Sequence, residues 1–415
     1  MAFALLEKVF ARAICSSYQN KDGICMVDES QREPSFEQFM IHLRQLGESN
    51  EAIAYADAYI AAHDGMFPII EKHTAHFVCR ASSNKTIALS AEWNGWTPQW
   101  SIMKSIGGGL QHYQHDFEMD ARLDYRFVEI SEPNMPSFCD PLNPRRGKSG
   151  FGDASELAMP EYQRPIVTVR DELVPQGTLT EGTIKSKALR QQRPYQVYLP
   201  HGYTEHGVPY PSIYFHDGYD YLTMGEVPTI LDNLIAQGSL PPLVAVFVPP
   251  IERDREYNCS DVFTSFFCDE LVPEMQSLYA LDANPACHCV VGPSLGGLIS
   301  LYMASRRPDT FRMLCAQSTA TGSVYGVDKY DALTTFDASS RLPLRIALAI
   351  GSYESCFRTT ELGTCWDLLT PVRELRDKVV EHDYPYYYHE EHQSHSWGLW
   401  RDTLADALIY LFEEQ

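Results

Sequence analysis

Positive charge is scarce in this sequence. Its 33 Lys plus Arg stand against 55 Asp plus Glu, a formal net charge of −22 over 415 residues. A surface of that sign repels phosphate backbones and anionic headgroups, so binding to nucleic acid or to a membrane surface is not expected. Long apolar runs are missing as well. The most apolar later stretch, LPPLVAVFVPPI at 240–251, is short and bracketed by prolines, and cannot span a bilayer. The N-terminus, MAFALLEKVFARAICSS, has neither the positive flank nor the unbroken apolar stretch of a secretion signal. Its Phe3, Leu6, Phe10 and Ile14 recur at helical spacing and read as an amphipathic helix. The 11 cysteines are an odd number without a repeated spacing. They read as mostly buried thiols of a cytoplasmic protein, with Cys356 and Cys365 the one pair left open. His392 and His395 have no further ligand cluster beside them, so neither a metal nor another cofactor is expected.

What the chain does have falls into three regions by pattern. Residues 1–75 read as a helical N-terminal region. Ser35 can cap a helix with Phe36, Phe39, Met40, Leu43 and Leu46 on its apolar face, closed by Gly47, and a second helix should run from Asn50 to Ala62. Near residue 76 the period changes to two. HFVCRA, TIALSAEW, HYQHDFEM and DYRFVEI read as short strands, which suggests a small β-sandwich, with the Pro- and Gly-rich stretch from Ser131 to about Glu161 as a linker; the two together span 76–160. Residues 161–415 alternate strand-like segments (YQVYLP, PSIYFHD, LVAVFVPP, CHCVVG, MLCAQS, LRIALAI, YPYYYHE) with helical patterns. That alternation predicts an α/β domain with a mostly parallel sheet and helices on both faces.

One motif in the third region carries chemistry. Gly292-Pro293-Ser294-Leu295-Gly296 follows the apolar strand CHCVV and opens the helical pattern LGGLISLYMASRRP. A G-x-S-x-G between strand and helix is the context of a nucleophile elbow, in which the serine is pushed out above an α/β-hydrolase sheet. The tight turn leaves no room for side chains at the flanking glycines. The Leu295 N–H then points to where an oxyanion would form. The competing reading of Ser294 is a capping serine on a tight turn.

A serine hydroxyl needs a base, and in this fold the chain order is Ser, acid, His. His395, on the loop between YPYYYHE and the last helix, is the candidate base, with His389 and His392 as rivals. Glu354, just after LRIALAI, is the candidate acid, with Asp367 and Asp383 as rivals. The second oxyanion donor should come from the loop His216-Asp217-Gly218-Tyr219, with the Tyr219 N–H as the candidate.

Taken in order, FHDGYDYL, RDREY (253–257), FFCDELVPEM, GPSLGGL, GSYE and SHSWGLWRDTL resemble the esterase D-like group of serine hydrolases, and within it the enterochelin (ferric enterobactin) esterases. GWTPQW, DYRFVEI and DPLNP look like the immunoglobulin-like module that precedes such catalytic domains, so the resemblance runs from about 85 to 412. It implies an α/β-hydrolase fold with Ser294 as nucleophile, His395 as base and Glu354 as acid. It also implies that Arg255 helps to shape the substrate cleft. In that picture the sandwich lies over the cleft, docked through Asp140–Pro144, with Arg145, Arg146 and Lys148 offsetting the acidic surface. Tyr219 and Trp397 would face aromatic arms of the substrate, a siderophore trilactone of the enterobactin type. The group also includes feruloyl and acetylxylan esterases, which keeps a carbohydrate ester in play. Pro293 stands where these esterases often carry a polar residue, and the first 75 residues match none of them. The reading from another class is a non-catalytic binding protein on a hydrolase scaffold. The sequence says nothing of the oligomeric state.

Overall fold

The computed structural model describes residues 35–82, 84–131, 134–150, 152–323, 330–337, 341–358 and 365–413; the helix expected around Phe3–Ile14 lies outside them. The first described element starts at a reciprocal cap. The Ser35 hydroxyl accepts from the Gln38 N–H while the Gln38 side chain accepts from the Ser35 N–H, fixing the start of α1 (Phe36–Leu46). Gly47 closes it in the left-handed half of backbone space (φ 64°), and Ser49 caps α2 (Asn50–Ala62). Phe36, Phe39, Met40 and Leu43 are buried with Ala52, Ala56 and Tyr59 against Val78, Ile106 and Leu110. The two helices therefore cover one face of the sheet that follows.

That sheet is antiparallel and four-stranded. It contains β1 (Ile69–Glu71), β2 (Thr74–Arg80), β4 (Lys104–Gly107) and β5 (Leu110–Asp116) in the order β1-β2-β5-β4. A second antiparallel sheet has the order β3-β6-β9-β8, with β7 beside β6. Its strands are β3 (Thr86–Ala91), β6 (Arg122–Ile130), β7 (Ser137–Phe138), β8 (Arg146–Gly147) and β9 (Ala154–Ala158). Phe77 and Cys79 of β2 share one buried cluster with Leu89, Tyr125, Phe127 and Leu157 of the second sheet. Strand structure begins at Ile69, before the expected change of period. The stretch read as a linker also supplies three strands. The Asp140–Pro144 segment folds back into its own sheets, where buried Asp140 accepts from Tyr125 Oη (2.7 Å) and Asn143 Nδ2 donates to the Glu156 carbonyl (2.8 Å). Arg146 Nη1 donates to the Arg145 carbonyl (2.8 Å).

The third region forms an eight-stranded sheet. In chain order its strands are β10 (Thr178–Ser186), β11 (Gln191–Leu199), β12 (Ser212–His216), β13 (Val244–Val248), β14 (His288–Pro293), β15 (Met313–Gln317), β16 (Arg345–Gly351) and, after the two-residue ribbon of β17 (Phe357–Arg358) and β18 (Cys365–Trp366), β19 (Tyr386–Glu391). Across the sheet the order is β10-β11-β13-β12-β14-β15-β16-β19. The six strands from β13 to β19 are mutually parallel, and β11 runs antiparallel to both of its neighbours, β13 and β10. Every residue of β12, β13, β14 and β15 is buried, because helices cover both faces. Alternation along β13 shows this. Val244, Val246 and Val248 face a core shared with α6 (Leu295–Arg306) and α7 (Leu369–Glu381), whereas Ala245 and Phe247 face one shared with α4 (Val227–Ala236) and α8 (Trp397–Phe412). Two short helices follow strand ends: α3 (Gly218–Thr223) after β12, and α5 (Arg253–Tyr257) after β13.

Among the described residues no helix is long and apolar enough to cross a membrane. Cys79, Cys139, Cys259, Cys268, Cys287, Cys289 and Cys315 are free thiols. Cys356 is disulfide-bonded, an exception to the pattern of unpaired thiols, and the side chain of Cys365 lies outside the described residues.

Candidate active site

Ser294 stands between β14 and α6 in a conformation that L-residues rarely adopt, with φ 57° and ψ −122°. Such a backbone persists only where its surroundings impose it. Here the Ser294 N–H extends the β14–β15 ladder by donating to the Gln317 carbonyl (2.8 Å), while its own carbonyl already accepts from the Leu298 N–H (3.1 Å). One residue thus closes a strand and opens a helix. A Cβ on Gly292 would lie 2.3 Å from the Gly296 carbonyl group, so no side chain fits there. The Ser294 hydroxyl makes no cap hydrogen bond to its own helix. A capping role therefore does not account for it. Leu295 is the first residue of α6, where backbone N–H groups have no partner within the helix.

Glu354 and His395 leave the same edge of the sheet. β16 and β19 run in parallel with Gly351 opposite Glu391, so the loops after them start side by side. The Tyr353 N–H donates to the Gln393 carbonyl (3.1 Å) and ties the two loops together. His395 Nδ1 lies 2.7 Å from Glu354 Oε2, with the imidazole 7% exposed and the carboxylate fully buried. The other carboxylate oxygen, Oε1, accepts from the Gly351 N–H (2.9 Å) and from Ser318 Oγ (2.6 Å). Ser318 Oγ in turn accepts from Trp400 Nε1 (2.8 Å), and the Trp400 ring meets the imidazole edge to face at 5.1 Å. Both oxygens of the carboxylate are thus held in place. A carboxylate on Nδ1 fixes the tautomer whose Nε2 can accept a proton. The sequence reading did not include Ser318 and Trp400, and no local motif marks them.

The loop after β12 is braced from α5. Asp217, at φ 52°, holds the turn into α3; its N–H donates to Tyr257 Oη (2.8 Å) and its carboxylate takes both Arg253 Nε and Nη2 at 2.8 Å. Glu256 pairs with buried Arg193 of β11 at 2.6 and 2.9 Å. Arg253, Glu256 and Tyr257 stand at i, i+3 and i+4, one face of a helix. Arg255 points the other way; its side chain is 83% exposed and paired with Glu252 (2.9 Å). Spacing within RDREY therefore singles out Arg253 as the inward residue, a signal available in the sequence. Tyr219 is second in α3, with its side chain 42% exposed.

The other expected positions are used elsewhere. Trp397 is 7% exposed and packs edge-on against Tyr221 (5.1 Å) and Trp400 (4.9 Å), so the structure sets its ring in the core under α8 and not on a cleft wall. His389 pairs with Glu391 (2.5 Å), which raises its pKa, and His392 pairs with Asp120 (2.7 Å). Asp367 accepts from the Thr370 N–H at the start of α7 (3.0 Å). Asp383 lies before β19, at the opposite end of that strand from His395. Among the described residues the three-donor group Asp337, Glu381 and His382 has the composition of a metal site. It is exposed, and Lys378 Nζ already sits 2.9 Å from Asp337 and 3.1 Å from Glu381.

An open, mostly parallel sheet with helices on both faces, a strained serine between strand and helix, and an acid and a histidine on later strand ends define an α/β hydrolase-type esterase fold. The chain belongs to the Esterase family, described as "Putative esterase", whose model matches residues 186–411. It is similar to the iron(III) enterobactin esterase of Escherichia coli O6:H1, with 29% identity over 290 residues, 67% of this chain and 68% of that one. It is also similar to an endo-1,4-β-xylanase/feruloyl esterase of Xylanibacter ruminicola, with 26% identity over 171 residues, 38% of this chain and 23% of that one. Among solved structures it resembles the enterobactin esterase of Shigella flexneri with a TM-score of 0.69 at 20% identity, covering 86% of this chain and 98% of the other. The protein is a carboxylic ester hydrolase.

Proposed function

We propose that the ester is cleaved through an acyl-enzyme on Ser294, with His395 as the base and Glu354 as the carboxylate that orients it. The observation that carries this reading is the 2.7 Å contact from His395 Nδ1 to a fully buried Glu354. With its Nδ1 proton donated to Glu354, the imidazole presents Nε2 as acceptor. Nε2 takes the Ser294 hydroxyl proton as Oγ attacks the acyl carbon, and returns it to the departing alkoxide. The Leu295 and Tyr219 N–H groups, each in the first turn of a helix, stabilise the developing oxyanion. Water, activated by the same imidazole, then attacks the acyl carbon and frees Ser294.

For the substrate we propose a trilactone of the enterobactin type, held partly by the two-sheet unit over 76–160, read as an immunoglobulin-like sandwich. Support comes from the iron(III) enterobactin esterase relative, whose alignment spans more of the chain than residues 186–411. The second reading, a feruloyl-type carbohydrate ester, is favoured by the Xylanibacter relative. A hydrolysis panel separates them. Turnover of the trilactone well above that of feruloylated sugars and simple aryl esters is the expected result. Preference for feruloylated sugars would establish the second reading, and absence of turnover on all three would remove the catalytic one.

A further inference from the structure

The two-sheet unit touches the catalytic region at the neighbouring loops that carry Glu354 and His395, and reaches furthest into the second. The Arg122 N–H donates to the His392 carbonyl (3.1 Å), Asp120 pairs with His392 Nδ1 (2.7 Å), and the Tyr353 hydroxyl donates to Glu118 (2.5 Å). The Arg122 side chain goes further in. It is 1% exposed, and its guanidinium meets Glu156 Oε2 (2.8 and 3.0 Å), Asp124 Oδ1 (2.7 Å) and Ser396 Oγ (3.4 Å). Ser396 directly follows His395 and is the N-cap of α8, yet its hydroxyl makes no cap bond to that helix. It is turned toward Arg122 instead. Gly398 completes the fit: a Cβ there would lie 2.3 Å from Arg122 Nη1 and 2.5 Å from Cζ, so the guanidinium lies directly against the backbone of the first helical turn. Glu92, also buried, closes the cluster, its Oε2 accepting from the Asp124 N–H (2.7 Å).

We infer that Arg122 is a positioning residue for His395: planted in the two-sheet unit, it holds Ser396 and the first turn of α8 from behind, so that this unit is part of the machinery for every ester and not only a support for large ones. The inference rests on the reading of His395 as the base. Burying the arginine against Asp124 and Glu156 fixes its guanidinium tightly, because a displaced contact would leave a buried charge unpaired. A plane fixed in that way resists drift of the residues on either side of it. The 392–396 loop is thus clamped on both flanks, at His392 and at Ser396, with His395 between.

The test is Arg122→Lys in the full chain, which keeps the buried cation and loses the planar fork, with a small aryl ester as substrate. Active sites are counted by titration with a fluorophosphonate, so that kcat refers to competent enzyme only. The expected result is a fall in kcat of about tenfold or more with KM unchanged, and an equal fall in the rate of fluorophosphonate labelling, since a displaced base slows both. Gly398→Ala, which pushes the guanidinium off α8 without changing any charge, should give the same split, and it decides the matter if Arg122→Lys does not fold. Wild-type kcat per titrated site in the folded variant would overturn the inference, as would a change confined to KM. His395→Ala measured alongside keeps the two claims apart. If it retains activity the base assignment fails; if it is inactive while the Arg122 and Gly398 variants are normal, only the positioning role fails.

Discussion

Replacing Glu354 by glutamine changes one oxygen to an amide in a site where the structure dictates which way the amide must face. Oε1 receives two donors, the Gly351 N–H at 2.9 Å and Ser318 Oγ at 2.6 Å, and the Ser318 hydroxyl is itself oriented by Trp400 Nε1 at 2.8 Å. The glutamine oxygen therefore takes the Oε1 position, and its NH2 group faces His395 Nδ1. The imidazole must then accept at Nδ1 and carry its proton on Nε2, so it can no longer receive the serine proton. In serine proteases the corresponding change of tautomer costs about 10⁴ in kcat. The escape route is to flip the amide, which opposes an N–H to the buried Gly351 N–H at about 1–3 kcal/mol. The flipped amide opposes the Ser318 hydroxyl as well as the Gly351 N–H, so the upper end of that range applies, and if flipped molecules carried all of the activity about one part in 10² would remain. Glu354→Gln should therefore lower kcat by about 10² to 10⁴ with little change in melting temperature. Steady-state hydrolysis of an aryl ester, normalised to folded protein, reads this directly. A loss below about tenfold, or a larger loss in Asp367→Asn or Asp383→Asn, would refute the reasoning.

Ser294→Ala should lower kcat by several powers of ten while leaving the melting curve intact, since it removes the nucleophile and fills no space; residual turnover above about a tenth of wild type in a spectrophotometric ester assay would point to another nucleophile. Ser318→Ala breaks the bridge from Trp400 to Glu354 and should cost about tenfold in kcat with KM unchanged, in line with one buried hydrogen bond of about 1–1.5 kcal/mol. Glu92 carries a pKa raised to about 8, chiefly by burial and then by Asp124 beside it. A folded-state value above the unfolded one near 4.5 means that the folded protein binds the extra proton, so stability is lost as pH rises from about 4.5 to about 8. Glu92→Gln removes that loss, and its melting temperature relative to wild type should increase between pH 5 and pH 8; a difference independent of pH would contradict the assignment.

The elbow was legible because its chemistry is local: two glycines, a serine, an apolar strand before and a helix after lie within a few residues. The paired helices at 36–46 and 50–62 were legible for the same reason, through Ser35, Gly47 and the spacing of Phe36, Phe39, Met40 and Leu43. His395 and Glu354 could be placed on strand ends by chain order, but their 2.7 Å contact depends on the β16–β19 register, which no local pattern encodes. Arg253 was recoverable from helical spacing within RDREY, where the i+2 position of Arg255 turns that side chain outward to Glu252. Trp397 read as a cleft residue because it adjoins His395 in sequence; it is the first residue of α8, whose packing turns its ring into the core. The Pro-rich stretch after Ser131 read as a linker because its strands are only two to five residues long, too short for a period of two to show among its prolines and glycines. Arg122 was invisible for a related reason. A lone arginine at the head of a strand becomes a clamp only when residue 398 of another region is brought against it.

The claim at the centre of this account is that Ser294 is a nucleophile activated by His395, and covalent labelling tests it most directly. The intact protein treated with a fluorophosphonate, digested and sequenced by mass spectrometry, should carry one adduct, on Ser294. Labelling should vanish in Ser294→Ala and slow by several powers of ten in His395→Ala, because the hydroxyl loses its base. An adduct on another residue, or labelling of His395→Ala at the wild-type rate, would contradict the claim.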